Sequence, residues 1–330
     1  MGSTGMQPLV SILIPAYNSE AWLAETIQSA LSQTWKKTEI IVVDDGSSDR
    51  TVEVAKQFES RGVQLLIQSN QGASAARNTA FTASKGDYIQ WLDADDQLHP
   101  EKISSQMAVL NEGCTPRTLA SSAWGYFFRD TRKAVFNPTD LWNDLAPVDW
   151  LVLKLRKNLH MQTATWLTSR ELSEAAGQWK RDLATDDDGE YFCRVLLASD
   201  GVRFVPESRV YYRVTGVNRV SHIGQSDRKK DAQFVSMKLH MKYLRKLEDT
   251  ERVRAACLRY LQVWLIYFYP ERPDIVEEAN SLARELGGEL QLPKLSWKYS
   301  WIKDLFGWGP AKRAQLFLPG LKTSVRRTLE

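Results

Sequence analysis

At 330 residues, the chain has the length of about two domains, and 43% hydrophobic, 25% charged and 10% aromatic residues with only 18 Gly and 12 Pro exclude disorder, collagen and low complexity. A formal net charge of +3 is too small for a chain-wide nucleic-acid binder, and Cys114, Cys193 and Cys257 form no CxxC, so neither a disulfide framework nor a structural zinc site is indicated. The apolar stretches 9–14 and 261–269 are too short to span a bilayer, which takes about 20 residues, and the cysteine use fits a reducing compartment, so a cytoplasmic location is expected.

In chain order, Val10–Ile14 reads as a β-branched strand. Asn18 or Ser19 is positioned to cap a helix with Leu23, Ile27, Ala30 and Leu31 on one face. Glu39–Val43 is a second strand, followed by the turn Asp44-Asp45-Gly46-Ser47, and Asp49 opens another helix. Val63–Gln68 is a third strand, Ser74 starts a helix with Ala76, Ala80 and Ala83 on one side, and Tyr88–Leu92 is a fourth strand ending in Asp93-Ala94-Asp95-Asp96. Strand and helix alternating at this spacing predict an α/β fold, a mainly parallel Rossmann-like sheet with helices on both faces. Ligands bind outside the carboxyl ends of such strands. The polar clusters of this half, Tyr17-Asn18, Asp44-Asp45, 70–77 and 93–96, all fall there.

The stretch 101–225 is Trp-rich, carries the acidic run Asp186-Asp187-Asp188-Gly189-Glu190, and ends in short strands at Val202–Val205 and Val210–Arg213. From 226 the pattern is helical, with shared faces formed by Phe234, Met237, Met241 and Leu244, by Val253, Cys257, Leu261, Trp264 and Phe268, and by Ile275, Ala279, Leu282 and Leu286. Two domains are expected, 1–225 and a C-terminal helical region 226–330 whose tail carries Trp297, Trp301 and Trp308.

Carboxylates crowded after a buried strand repel each other unless protons or a cation neutralise them, so 93–96 suggests Mg²⁺ or Mn²⁺ held together with substrate phosphates. The plainer alternative is a solvated acidic turn. Asp44-Asp45 suits either tight-turn chemistry or hydrogen bonds to a base or ribose. Arg77 alone reads as a surface arginine, with a phosphate contact as the functional alternative. Acids 186–190 suit a helix N-terminus, or one carboxylate at the mouth of a pocket. If the segment from Asp187 is helical, Asp188 shares a face with Tyr191, Phe192 and Val195 and is drawn inward, while Glu190 points away.

Together these segments resemble the family 2 glycosyltransferases of GT-A fold. The resemblance rests on Val10-Ser-Ile-Leu-Ile-Pro-Ala-Tyr-Asn18, Gln33-Thr34, Ile41-Val-Val-Asp-Asp-Gly-Ser-Ser-Asp49, Asn70-Gln-Gly-Ala-Ser-Ala-Ala-Arg-Asn78, Lys85-Gly-Asp-Tyr-Ile89 and Leu92-Asp-Ala-Asp-Asp96. It is dense over 9–100 and looser through Gly177, Asp187-Asp188, Val205-Pro206-Glu207, Tyr212-Arg213 and Ser221. The resemblance implies a nucleotide-sugar donor, UDP by default, a divalent metal (Mn or Mg), and transfer of a hexosyl or N-acetylhexosaminyl group with inversion to a glycan or lipid-linked acceptor. It implies that Pro15 and Tyr17 line the nucleobase site, that Asp45, assisted by Asp44, meets the base edge, and that Arg77 sits near the nucleotide. It further implies that Asp93 holds the ribose, Asp95 the metal, and Asp188 or its neighbour Asp187 the proton. Ala80 stands where the family often has Gly, and Asp187-Asp188 where it commonly has Glu-Asp. No Gln-x-x-Arg-Trp segment is present, so the resemblance is to the soluble, non-processive members.

Two other readings stay open: a non-catalytic nucleotide-sugar binder of the same fold, and a dinucleotide-dependent oxidoreductase. The second lacks GxGxxG after the first strand, where the chain has Pro-Ala-Tyr-Asn. Residues 294–330 hold eight Lys/Arg against Asp304 and Glu330, a net +6 that leaves −3 for the rest of a +3 chain. Interleaved with Trp, Leu and Phe, this tail suits an anionic membrane surface, or a helical pair packed on the domain with a solvated basic face. The first alternative would make the protein peripheral on the inner face of the membrane.

Overall fold

The computed structural model describes residues 7–215 and 226–316. The N-terminal part of the chain forms β1 (Val10–Ala16), α1 (Leu23–Leu31), β2 (Thr38–Asp44), α2 (Thr51–Lys56), β3 (Val63–Ile67), α3 (Ala73–Ala83) and β4 (Tyr88–Trp91). Then come β5 (Gln97–Leu98), α4 (Lys102–Asn111), β6 (Thr118–Phe127), β7 (Val135–Phe136), α5 (Pro147–Lys157), β8 (Thr168–Ser169), α6 (Arg170–Ala176), α7 (Asp187–Ala198) and β9 (Gly201–Arg213). The C-terminal elements are α8 (Asp227–Leu247), α9 (Glu251–Phe268), α10 (Pro273–Glu285) and α11 (Trp297–Phe306). Two compact units result: the first runs to Trp150 and resumes over His160–Thr215, and the second joins Leu151–Leu159 to the C-terminal helices.

In the first unit, β3-β2-β1-β4 are parallel and β8 closes the sheet antiparallel to β4. Every residue of β1 is buried, as a strand covered on both faces requires, which is why it reads as an apolar run broken only by Ser11. Neither cap expected for α1 forms: the carbonyl of Ser19 accepts from Trp22 and Leu23, and Asn18 Oδ1 instead accepts from the Ser48 backbone N–H at 2.8 Å. That side chain stitches the loop after β1 to the loop after β2.

A second sheet has the order β5-β9-β6-β7, with β6 and β9 parallel. The two short strands expected near 202–213 are one long strand, interrupted where the register jumps from Ser122↔Val205 to Ala123↔Arg209. Pro206, Glu207 and Ser208 bulge out between them; proline has no N–H for the ladder, so its place is such a bulge. The loop 92–96 joins the two sheets, since β4 leads through it into β5, which pairs with β9.

In the second unit, Phe234, Met237, Met241 and Leu244 of α8 are buried, as are Val253, Cys257, Leu261 and Phe268 of α9 and Ile275 and Ala279 of α10. Trp264 and Leu282, expected on the same stripes, are only half-buried. Among the described residues no helix is long and apolar enough to cross a membrane.

Candidate active site

The carboxyl ends of β1 and β2 form one wall. Pro15 is buried in β1 opposite Val43, and Tyr17, just past the strand end, is 52% exposed. Asp44 is buried, and its Oδ2 accepts from the backbone N–H groups of Gly46 and Ser47, each at 3.1 Å. Gly46 holds φ +72° and a Cβ there would lie 2.7 Å from the Asn70 nitrogen, so this turn requires glycine. Asp45 is also buried: Oδ1 accepts from Gln68 Nε2 at 2.7 Å and the Gln71 N–H at 3.0 Å, and Oδ2 from the Gly72 N–H at 2.8 Å. The sequence suggested that Asp45 offers its edge to a base. In the structure it clamps the 68–72 loop that leads into α3, satisfying loop N–H groups that would otherwise lie unpaired next to a buried carboxylate.

Arg77, on α3, corrects its reading as a surface residue. It is 6% exposed, with Nη1 2.8 Å from Asp187 and Nη2 2.8 Å from Asp93. Its guanidinium lies over Trp179 at 4.4 Å, and Trp179 stacks on Tyr191 at 4.1 Å. Trp179 is pinned by paired hydrogen bonds between its backbone and the side chain of Asn78. Burial works against the charge on Arg77, but Asp187 and Asp93 outweigh it and raise its pKa. Ser74 Oγ adds a 2.8 Å hydrogen bond to Asp187.

The acids at 93–96 do not converge. Asp93 faces Arg77, whereas Asp96 is buried on the other side, accepting from the Arg213 N–H at 2.9 Å and from Gln162 Nε2 at 2.5 Å. Desolvation, with Asp95 and Asp93 nearby, raises the Asp96 pKa well above the ordinary carboxylate range. The crowding that suggested a cation is thus met by an arginine at Asp93 and, at Asp96, by a raised pKa that favours the neutral acid. Among the described residues no group of three or more His, Cys, Asp or Glu is arranged to hold a metal by itself. Half-exposed Asp95 still fits an ion that takes one or two carboxylates and completes its shell from substrate phosphates.

The run at 186–190 opens α7. Asp186 takes the left-handed conformation, φ 55°, at the N-cap, and a Cβ on Gly189 would overlap its carboxylate. Tyr191, Phe192 and Val195 are buried, so the helix face expected to turn inward does so. Asp188 accepts from its neighbour's N–H, Gly189, at 2.8 Å and from Thr163 Oγ1 at 3.2 Å. Desolvation, then the charges of Asp187 and Asp186, push its pKa up to about 7, against the pull of Arg77. Glu190, expected to point away, is instead fully buried in an ion pair with Arg194 at 2.8 Å. Arg194 also donates to the carbonyls of Ala176 and Gln178, so the pair seals α7 against the end of α6.

Ser74, Thr163 and Trp179 were not singled out for this site. Nothing local marks them, because their partners lie 113, 25 and 101 residues away. Ser221, the last residue carrying the resemblance, lies outside the described residues.

The family model for "Glycosyl transferase family 2" matches residues 11–157. Residues 11–157 are thus similar to the family 2 glycosyltransferase domain. Among curated relatives, it is 30% identical over 216 residues to EpsJ, an uncharacterized glycosyltransferase of Bacillus subtilis, covering 63% of this chain and 62% of that one. It is 34% identical over 126 residues to TuaG of the same organism, a putative teichuronic acid biosynthesis glycosyltransferase, covering 37% and 48%. The matches therefore span less than two thirds of these relatives. Among solved structures, S. aureus TarS 1-349 in complex with UDP superposes with TM-score 0.60 at 15% identity, covering 92% of this chain and 90% of that one. This similarity establishes the GT-A fold, an α/β core followed by C-terminal helices. The family 2 match ends before Asp187 and Asp188, whose placement rests on the geometry above.

Proposed function

We propose that the chain is an inverting glycosyltransferase that moves a hexosyl or N-acetylhexosaminyl group from a nucleoside-diphosphate sugar to a hydroxyl of a glycan or lipid-linked acceptor, in polysaccharide or glycoconjugate synthesis. The observation that carries this reading is Asp188: a carboxylate pushed up to about 7, beside a buried arginine that links Asp187 to Asp93. A base with its pKa near neutral is matched to taking a proton from an alcohol.

In this reading Pro15 and Tyr17 flank the nucleobase, the Asp44 and Asp45 loops shape its seat, and Asp93 meets the ribose. Arg77 holds Asp93 and Asp187 in place. Asp188 takes the acceptor's hydroxyl proton as its oxygen attacks the anomeric carbon from the face opposite the diphosphate. The bond from that carbon to the diphosphate oxygen breaks, and the configuration inverts. A divalent ion at Asp95 would neutralise the charge gathering on the departing diphosphate. TarS structures with UDP and with UDP-GlcNAc make uridine donors the first to test.

The proposal also sets the C-terminal segment against an anionic membrane surface, making the protein peripheral on the cytoplasmic side. Its support is α11, where Trp297, Trp301 and Leu305 recur every four residues and are 79%, 56% and 70% exposed. Lys294, Lys298, Lys303 and Arg313 are exposed around them. Residues 317–330 of this basic tail lie outside the described residues.

The experiment is release of nucleoside diphosphate from a panel of UDP-, GDP- and dTDP-sugars with Mn²⁺ or Mg²⁺ present. Donor-specific release that Asp188→Asn abolishes is the expected result. A donor that binds tightly but is never turned over favours a non-catalytic binder, and no binding at all ends the reading.

A further inference from the structure

The second sheet carries a group of aromatic rings that the steps above do not use. Trp124 and Tyr126 are two apart on β6 and so share a face, and Tyr212 of β9 is paired with Tyr126. The ring centroids lie 4.8 Å apart for Trp124–Tyr126, 5.7 Å for Tyr126–Tyr212 and 6.0 Å for Trp124–Tyr212, all edge-on. His160 adds a fourth ring 5.1 Å from Trp124. On the opposite face, Tyr211 packs edge-on against Phe127 and Phe136.

The cluster is layered. Trp124 is buried, and its indole N–H has no hydrogen-bond partner among the described residues. Tyr126 and Tyr212 above it are half-exposed, and His160 is exposed. Two phenols and an imidazole put polar edges on an apolar floor.

Chain connectivity limits how far these rings can lie from Asp188. Tyr212 precedes Arg213, whose backbone N–H binds Asp96 at 2.9 Å; the Arg213 side chain, which binds the Asp95 carbonyl at 2.8 Å, lies over Phe127 on the opposite face. His160 lies three residues before Thr163, the hydrogen-bond partner of Asp188, and three residues span at most about 11 Å. The rings also stand at the carboxyl ends of the parallel pair β6 and β9, the edge where α/β sheets receive ligands.

We infer that Tyr126, Tyr212 and His160, floored by Trp124, form an acceptor subsite for a pyranose ring. The acceptor is then a glycan, whose sugar next to the reacting hydroxyl stacks on this platform. A pyranose has C–H groups on its faces and hydroxyls around its rim, which matches rings that offer an apolar surface with polar edges. The inference rests on the transferase reading for its role but not for its binding, so the two fail separately.

The test is saturation-transfer NMR on the full chain with UDP present, using a panel of neutral disaccharides of glucose, galactose, mannose and N-acetylglucosamine. At least one should receive saturation at the C–H protons of one ring. Tyr126→Ala and Tyr212→Ala should each weaken its binding about tenfold, as loss of one aromatic contact predicts, and Tyr126→Phe and Tyr212→Phe should retain most of it. UDP titration of the same variants controls for folding; where an alanine variant fails it, the leucine replacement is used. Failure of every disaccharide to bind, or equal binding by wild type and a folded double variant of Tyr126 and Tyr212, overturns the subsite. Disaccharide binding without turnover of any nucleotide sugar would instead leave the subsite standing and remove the transferase reading.

Discussion

Arg77 on α3 and Asp187 on α7 meet at 2.8 Å, and this pair ties segments 110 residues apart into one site. The same guanidinium holds Asp93 at the end of β4, so three elements depend on one side chain. Two carboxylates that would otherwise repel share a single planar cation.

Arg77→Met should therefore be costly in stability and in donor binding. Removing one partner of a buried ion pair leaves the others uncompensated, at about 3–5 kcal/mol. Arg77→Lys should recover only part of this, because a point charge cannot reproduce the two-pronged geometry. Denaturant unfolding and UDP titration of both variants check this; wild-type behaviour in Arg77→Met would show that the bridge does not organise the site.

How much of this was legible depended on where a residue's partners lie. The parallel sheet is legible because β1 and the Ile40–Val43 part of β2 are mostly apolar and buried, and the polar loops necessarily fall at one edge of such a sheet. Asp188 could be placed from helical spacing alone, since Tyr191, Phe192 and Val195 fix which way the first turn faces. Arg77 was misread because its burial comes from Trp179 and Asp187, neither of them near in sequence. Glu190 was misread for the same kind of reason: the arginine that permits its burial is local, but α6, which covers the pair, is not predictable from the spacing. Asp45 reads as a turn or ligand residue from its neighbours, and its grip on the 68–72 loop comes from partners more than twenty residues away.

Metal dependence is expected to run through Asp95. Asp95→Ala should weaken nucleotide-sugar binding when Mn²⁺ or Mg²⁺ is present and abolish transfer, while UDP affinity measured in chelator should be the same in the variant and wild type. Turnover by the wild-type chain that is indifferent to chelator would remove this role.

The exposed stripe of α11 should bind vesicles containing anionic lipid. Each basic residue near such a surface is worth about 1 kcal/mol, and the interfacial tryptophans add apolar burial. Trp297→Ser with Trp301→Ser should reduce co-sedimentation at low salt, and raising the salt should reduce it in the wild type as well, by screening the lysines. Unchanged co-sedimentation on deleting 294–330 would dispose of the membrane contact. Vesicles of neutral lipid serve as the control.

Asp188 makes opposed demands on activity and stability, which gives the sharpest test. Its pKa in the fold is about 7, against about 3.9 for an unperturbed aspartate. Between those values the folded protein holds a proton that the unfolded chain has lost. The resulting contribution to stability is present in full below pH about 4 and is lost as pH rises through about 7. A base must be ionised to act, so turnover should rise with pH through about 7 over the range in which that stabilisation disappears. Asp188→Asn is neutral at every pH and keeps the size of the side chain. It should bind donor nearly as wild type does and lose about 10²–10⁴-fold in turnover. Its melting temperature should equal or exceed that of wild type above pH 7, where the wild-type charge is paid for in desolvation. Asp186→Asn should change turnover far less. Near-wild-type turnover in Asp188→Asn together with an inactive Asp187→Asn would move the base by one residue. Near-wild-type turnover in both would end the single-carboxylate mechanism.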